Sequence, residues 1–219
     1  MLNSITIDIA AEQLQLLPER ALYWPRQRAL IIADLHWGKT ASFRAAGLPI
    51  PEGSTASDLE RMTQLVHRTG ARQLLLLGDV LHAHAGRSDV VFSQVLKWRS
   101  LHSHLDIIMI RGNHDQAAGD PPEEWRFVCM SEPILLAPFV LCHYPQSSEL
   151  GYTLAGHLHP AVQLRGIGHQ LARLPCFCFG ADCGVLPAFG SFTGNSIIRP
   201  QPGDQVFVIA DGEIMRIGP

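Results

Sequence analysis

Carboxylate, imidazole and amide side chains recur in this sequence as five short clusters, each beside or within an apolar stretch. In chain order the clusters are Asp34-Leu35-His36, Gly78-Asp79, Gly112-Asn113-His114-Asp115, His143 and Gly156-His157-Leu158-His159. Oxygen and imidazole donors together form a ligand set that suits Mn²⁺, Fe, Co²⁺ or Zn²⁺. Each cluster alone is also compatible with a polar turn or a hydrogen-bonded core histidine. The prediction of a metal centre therefore depends on all five clusters meeting in the fold.

The positions of these side chains favour such a meeting. An ionisable group at the end of a buried strand must be paired or must coordinate an ion, because an isolated buried charge is costly. His157 and His159 stand on alternate residues, so both imidazoles face the same way if the backbone is extended. The sequence therefore predicts that the clusters converge on one or more bound cations.

The elements that carry the first three clusters form an alternating pattern. Buried strands are predicted over residues 28–34, 73–77 and 106–110. One helix is predicted with Ser54 or Ser57 as its N-cap and Gly70 just past its end, and a second over residues 88–100. Open α/β sheets place their ligand sites at the carboxyl ends of the strands, and each of these strands ends at a cluster. The first half therefore predicts a strand-helix-strand-helix-strand unit with a polar site at one edge.

The second half of the chain has a different pattern, in which short β-type runs are separated by glycine and proline. The runs are Ile134–Leu136, Phe139–His143, Tyr152–Ala155, Cys176–Phe179, Ser196–Ile198 and Gln205–Ile209. The simplest assembly is a second sheet stacked on the first, with helices outside. We expect an α/β fold with a single domain over residues 1–219, because no linker or composition shift divides the chain.

Composition excludes several classes of protein. The chain has 219 residues, of which 47% are hydrophobic, and a formal net charge of −3, which argues against a protein that coats nucleic acid by charge alone. No apolar run reaches the roughly 18 residues that a membrane span needs. Five cysteines and no secretory N-terminal pattern predict free buried thiols and a cytoplasmic location, although Cys176-x-Cys178 leaves a zinc pair as an alternative.

The five clusters, in this order, resemble the motif blocks of the calcineurin-like metallophosphoesterases. The resemblance covers Asp34 to His159 and implies a four-layer fold, two stacked mixed β-sheets flanked by helices. Three further segments resemble the ligase-associated DNA-repair endonuclease branch of that family (the PdeM type): Ala33–Lys39, Phe43–Gly53 and Leu186–Gly194. This narrower resemblance implies a DNA endonuclease that acts with repair proteins such as a ligase and a helicase.

The resemblance also implies roles for single residues. One divalent ion is held by Asp34, His36, Asp79 and His159, and the other by Asp79, Asn113, His143 and His157. Asp79 bridges the two ions, for which Mn²⁺ is the expected metal. Two such cations clamp a phosphate and acidify a shared water. His114 would then reach the leaving oxygen and either protonate it or stabilise its charge. Asp115 would either orient the His114 ring or serve only as a turn residue.

The residues that would hold the substrate are less constrained. A nuclease needs basic and aromatic side chains along a groove, and Trp37, Lys39, Phe43 and Arg44 are candidates, with Lys39 and Arg44 as phosphate contacts. His82 and His84 are either rim residues or ordinary surface histidines. Three hypotheses remain open: an endonuclease on single-stranded or damaged DNA, an esterase acting on a small nucleotide or other non-polymeric phosphoester, and a scaffold without activity. The sequence leaves the oligomeric state open.

Overall fold

The computed structural model describes residues 4–166 and 171–218. Seven strands form the first sheet and lie in chain order: β1 (Ile5–Ile9), β2 (Glu12–Leu17), β3 (Ala21–Trp24), β4 (Ala29–Ile32), β5 (Gln73–Leu77), β6 (Asp106–Ile110) and β7 (Val128–Met130). The first four strands pair antiparallel and the last four pair parallel, so the sheet is mixed. The three strands predicted in the first half are β4, β5 and β6.

Four α-helices accompany this sheet: α1 (Lys39–Ala45), α2 (Ser54–Thr69), α3 (Asp89–Leu101) and α4 (Asn113–Ala118). Short 3₁₀ turns occur at Pro25–Gln27, His84–Gly86 and Glu123–Trp125. Helix α2 places Leu59, Met62 and Leu65 at helical spacing in the core that covers the first sheet. None of the helices in the described ranges has the length and apolar character to cross a membrane.

The second sheet contains the strands that follow β7 in the described residues: β8 (Ile134–Leu136), β9 (Phe139–Leu141), β10 (Tyr152–Ala155), β11 (Pro160–Arg165), β12 (Leu171–Phe179), β13 (Cys183–Val185), β14 (Ser196–Ile197), β15 (Gln205–Ala210) and β16 (Glu213–Ile217). Their order is β14-β11-β12-β13-β10-β9-β8, and β15 and β16 extend the sheet beside β12. Strand β10 pairs parallel to both β9 and β13, while β12 pairs antiparallel to its neighbours, so this sheet is also mixed.

Alternate residues of the central strands of the first sheet serve two different cores. Ile31 and Leu75 face the second sheet, where they join a cluster that contains Phe139. Leu30 and Leu74 face the opposite way and join the core beneath α2 and α3. Burial of each such side chain contributes about 1.5–3 kcal/mol to the free energy of folding. A strand that is apolar on both faces is therefore most stable between the two cores. The predicted stack of two mixed sheets with helices outside is confirmed.

Candidate metal and phosphoester site

The candidate site lies where loops from the two sheets meet. Asp34 and His36 follow β4, Asp79 follows β5, and Asn113 is the first residue of α4 after β6. From the second sheet, His143 follows β9, and His157 and His159 lie between β10 and β11. The five clusters of the sequence are therefore brought together, as predicted.

The loops hold these side chains in a backbone conformation that few residues adopt. Asp34, His36, Asp79, His157 and His159 all have positive φ, between 48° and 70°. This left-handed conformation costs a non-glycine residue roughly 1–3 kcal/mol and occurs preferentially where function requires it. The fold therefore maintains an unfavourable backbone in order to direct these five side chains inward.

Glycine 112 shows how tightly the loops approach one another. A Cβ atom at Gly112 would overlap the carboxylate and the backbone nitrogen of Asp79. Only glycine therefore lets the loop after β6 reach the side chain after β5, which explains the glycine in front of Asn113.

The first group of donors contains Asp34, His36 and His159, whose ligand atoms lie within 4.8 Å of one another. The Nε2 atoms of His36 and His159 are 3.2 Å apart, and His159 Nε2 lies 3.6 Å from Asp34 Oδ1. Asp79 Oδ2 is 3.7 Å from His36 Nε2. These residues could hold one divalent ion.

The second group contains Asp79, His143 and His157, again with ligand atoms within 4.8 Å of one another. His143 Nε2 lies 3.5 Å from Asp79 Oδ1 and 3.1 Å from both His157 Nδ1 and Asn113 Oδ1. The two oxygens of Asp79 thus face different groups, so that this carboxylate lies between them.

Backbone carbonyls fix which ring nitrogens are free to bind an ion. A carbonyl oxygen only accepts, so His143 donates from Nδ1 to Leu77 (3.0 Å) and His159 donates from Nδ1 to Gly194 (3.0 Å). In its neutral form, each ring presents an Nε2 lone pair. The His143 lone pair faces the Asn113 amide oxygen, another acceptor, and a bound cation is what reconciles two such atoms. The donor set therefore fits a metal ion.

The pKa shifts differ among the histidines of the site. Burial, followed by the charges of His159 and His114, lowers the pKa of His36 to about 2. Burial also lowers the pKa of His157. At His159 burial opposes protonation, but the hydrogen bond and charge of Asp34 outweigh it and raise the pKa. Burial is also the main cause that raises the pKa of Asp79. Burial therefore opposes charge on His36, His157 and Asp79, whereas the Asp34 carboxylate favours a protonated His159.

His114 lies at the open side of the site. Its Nδ1 donates to the carbonyl of His82 (2.7 Å), and its Nε2 lies 4.0 Å from Asp79 Oδ2. The hydrogen bonds of Asp115 go to other groups. Its buried carboxylate accepts from the backbone amides of Leu81 (2.8 Å) and Gly112 (3.0 Å). The expectation that Asp115 orients His114 is therefore corrected: Asp115 holds the loop, and a backbone carbonyl orients the ring.

His82 belongs to the site, whereas His84 is exposed on a 3₁₀ turn. His82 Nδ1 lies 3.3 Å from His36 Nδ1, and its ring stacks on His114 with centroids 4.8 Å apart. Burial, then the charges of His114 and Lys39, lowers the pKa of His82 to about 4. From the sequence alone, His82 is either a rim residue or an ordinary surface histidine, and its position three residues after Asp79 is the signal that favours the site.

The substrate candidates separate into different environments. Lys39 lines a cavity beside the site together with Phe43. The Arg44 guanidinium instead pairs with Glu52 at 2.9 Å and lies outside that cavity lining. Trp37 is only 1% exposed and packs against Trp125, so it is a core residue and the suggestion that it stacks on substrate is wrong.

Comparison with known proteins assigns the family. The model of the calcineurin-like phosphoesterases matches residues 27–172. The structure of the nuclease MPE from Pseudomonas putida is 38% identical, covers 98% of this chain and 100% of its own, and superposes with a TM-score of 0.86. Yfce, a phosphoesterase from E. coli, is 15% identical over 84% of this chain and 88% of its own, with a TM-score of 0.40. No protein of curated function matches the chain. This chain belongs to the calcineurin-like phosphoesterase family and is a hydrolase of phosphoesters.

Proposed function

We propose that this protein is a binuclear metal-dependent phosphodiesterase that cleaves DNA as an endonuclease. The position of the Asp79 carboxylate carries the proposal. One of its oxygens lies 3.7 Å from His36 Nε2 and the other 3.5 Å from His143 Nε2. A carboxylate placed in this way can give one oxygen to each of two ions.

The proposed ligand sets follow from the two groups of donors. Asp34, His36, Asp79 and His159 would hold the first ion, and Asp79, Asn113, His143 and His157 the second. We propose Mn²⁺ as the native metal, with Fe, Co²⁺ and Zn²⁺ as the other ions that a set of carboxylate and amide oxygens with imidazoles suits. Bound divalent ions would supply neutralisation of the phosphate charge and acidification of a water molecule.

The protein's own groups then orient the reaction. The carbonyls of Leu77 and Gly194 hold the His143 and His159 rings in one tautomer. In that tautomer, each Nε2 atom has a lone pair that can bind a metal ion. His114, fixed through Nδ1 by the His82 carbonyl, can hold a proton on Nε2 beside the site. We assign it the transfer of that proton to the leaving oxygen.

DNA is proposed as the substrate for two reasons. The similar structure that covers the whole chain is named a nuclease. In addition, Lys39 and Phe43 lie at the edge of the site, where they are suited to a backbone phosphate and a base. We extend the proposal to a role in DNA repair beside a ligase or a helicase, within the cytoplasm. The repair role is supported by the resemblance of Ala33–Lys39, Phe43–Gly53 and Leu186–Gly194 to the repair endonuclease branch of the family.

The test is a panel of metals against substrates. Metal-free protein is reloaded separately with Mn²⁺, Fe²⁺, Co²⁺, Zn²⁺ and Mg²⁺, and each sample is offered closed circular single-stranded DNA, plasmid DNA and a cyclic nucleotide. The circle has no ends, so its cleavage demonstrates endonuclease activity. We expect Mn²⁺ to restore cleavage of the circle. If the circle survives while the cyclic nucleotide is consumed, the substrate is a small nucleotide. Full activity in excess chelator would contradict the metal-dependent mechanism.

A further inference from the structure

A cavity of about 290 Å³ lies beside the group that contains His36 and His159. It is lined by Lys39, Phe43, Ser191, Phe192, Thr193 and Gly194. Helix α1 supplies one side, and the loop between β13 and β14 supplies the other. The cavity therefore combines an amine, two aromatic rings and small polar side chains.

The two aromatic rings of this cavity are unlike those of the core. Phe192 is 38% exposed, and Phe43 is half-buried. Their ring centroids are 5.8 Å apart, with an angle of 79° between the ring planes. Because of this angle, the two rings cannot both lie flat against one planar ligand. The more exposed Phe192 can offer its face, while Phe43 meets the ligand edge-on.

The cavity wall is joined directly to the proposed metal ligands. Gly194, at one end of the lining, accepts the hydrogen bond from His159 Nδ1, and Gly190 in the same loop donates from its amide to the Asp34 carbonyl (3.1 Å). On the other side, the Phe43 ring lies 6.2 Å from the ring of His82. A group bound in the cavity is therefore adjacent to a phosphate bound at the metal centre.

We propose that Phe192 and Phe43 form a subsite for one nucleobase next to the scissile phosphodiester, and that Lys39 contacts a phosphate of the same strand. The proposal rests on the proposed function and extends it by naming which residues hold the base. An aromatic face accepts any base, and an amine accepts any backbone phosphate, so the subsite selects a nucleic acid strand without selecting its sequence. Stacking of one base on an aromatic ring changes affinity by about 5- to 150-fold.

The experiment combines removal of the Phe192 ring from the protein with removal of one base from the DNA substrate. A single abasic residue is placed in turn at each position around one mapped cleavage site of an oligonucleotide. The value of kcat/KM is measured for the wild-type protein and for Phe192→Ala, at saturating Mn²⁺. For the wild type we expect one position, adjacent to the cleaved bond, at which loss of the base lowers kcat/KM by about 5- to 150-fold. Phe192→Ala should show a similar loss on intact DNA and no further loss at that position.

Matched variants separate stacking from other effects. Phe192→Leu keeps an apolar side chain but no aromatic face, so it should behave like the alanine variant, whereas Phe192→Trp should retain the sensitivity to the abasic residue. Leu101→Ala, an exposed apolar position at the end of α3, should behave as the wild type. Metal content and melting temperature, measured on every variant, exclude loss of the fold.

The possible results distinguish two failures. The subsite alone would be overturned if the wild-type protein cleaves DNA normally and Phe192→Ala responds to every abasic position as the wild type does. A wild-type protein that cleaves no intact oligonucleotide would overturn the proposed function and the subsite with it.

Discussion

Replacing His114 by alanine should separate proton transfer from metal binding. His114 makes a hydrogen bond to Asp79 through its backbone amide, which donates to Oδ1 at 2.9 Å. Alanine keeps that amide. The ring itself is 37% exposed, so its removal leaves no closed cavity. We therefore expect metal content to be retained and the free energy of unfolding to fall by about 0.5–1.5 kcal/mol, because the hydrogen bond to the His82 carbonyl is lost.

The effect on catalysis should be much larger. Loss of a positioned acid lowers turnover by about 10²–10⁴-fold, which corresponds to about 3–5 kcal/mol of transition-state stabilisation. The assay compares a DNA phosphodiester, whose leaving alkoxide needs a proton, with a p-nitrophenyl diester, whose leaving group needs little protonation. The loss should be large for DNA and small for the p-nitrophenyl diester.

His84→Ala is the matched control, since it removes an exposed imidazole five residues after Asp79. It should leave both rates unchanged. An equal loss on good and poor leaving groups would refute the assignment of His114 as an acid. Loss of bound metal in His114→Ala would instead show that the ring holds an ion.

Four further outcomes are expected. Asp79→Asn should bind fewer than two ions per chain by elemental analysis, since an amide has one oxygen to give; two ions held with unchanged affinity would argue against a bridging role. Gly112→Ala should weaken metal binding and lower the melting temperature, because its Cβ overlaps the neighbouring carboxylate. Arg99→Met should lower the free energy of unfolding by roughly 2–4 kcal/mol in urea titration, because the buried carbonyls of Trp125 and Leu105 lose their donor and that of His102 keeps only a backbone amide. Lys39→Ala should reduce the salt dependence of DNA binding by about one unit of slope, whereas Arg44→Ala, whose guanidinium already pairs with a carboxylate, should leave it unchanged.

The sequence could predict the elements whose pattern is strong and whose ends carry unusual residues. Strands β4, β5 and β6 are apolar on both faces, so their type could be predicted, and the metal-binding residue types at their ends indicate where the candidate site lies. Helix α2 has regular apolar spacing and ends before Gly70, which adopts a left-handed conformation with φ of 64°. The paired strands β1 and β2 were missed, although Ile5 to Ile9 alternate between apolar and polar residues.

The parts of the site that could not be predicted are contributed by the backbone. The carbonyls that orient His143, His159 and His114 come from Leu77, Gly194 and His82, and a carbonyl leaves no trace in residue type. The error about Trp37 has a similar origin. Its neighbours in sequence belong to the site, but its ring points into the core, and only the tertiary packing decides the direction.

The division of the site between the two sheets has a consequence for how the protein is made. The first sheet and its helices are complete by residue 130, yet His143, His157 and His159 come later in the chain. Each proposed ion takes donors from both halves, so a nascent chain that has folded its first half holds neither site. On the ribosome, hydrolytic capacity would arise only after His159 has been synthesised and has joined the first half. The same division suggests a split enzyme, in which two inert fragments regain metal and activity only when they associate.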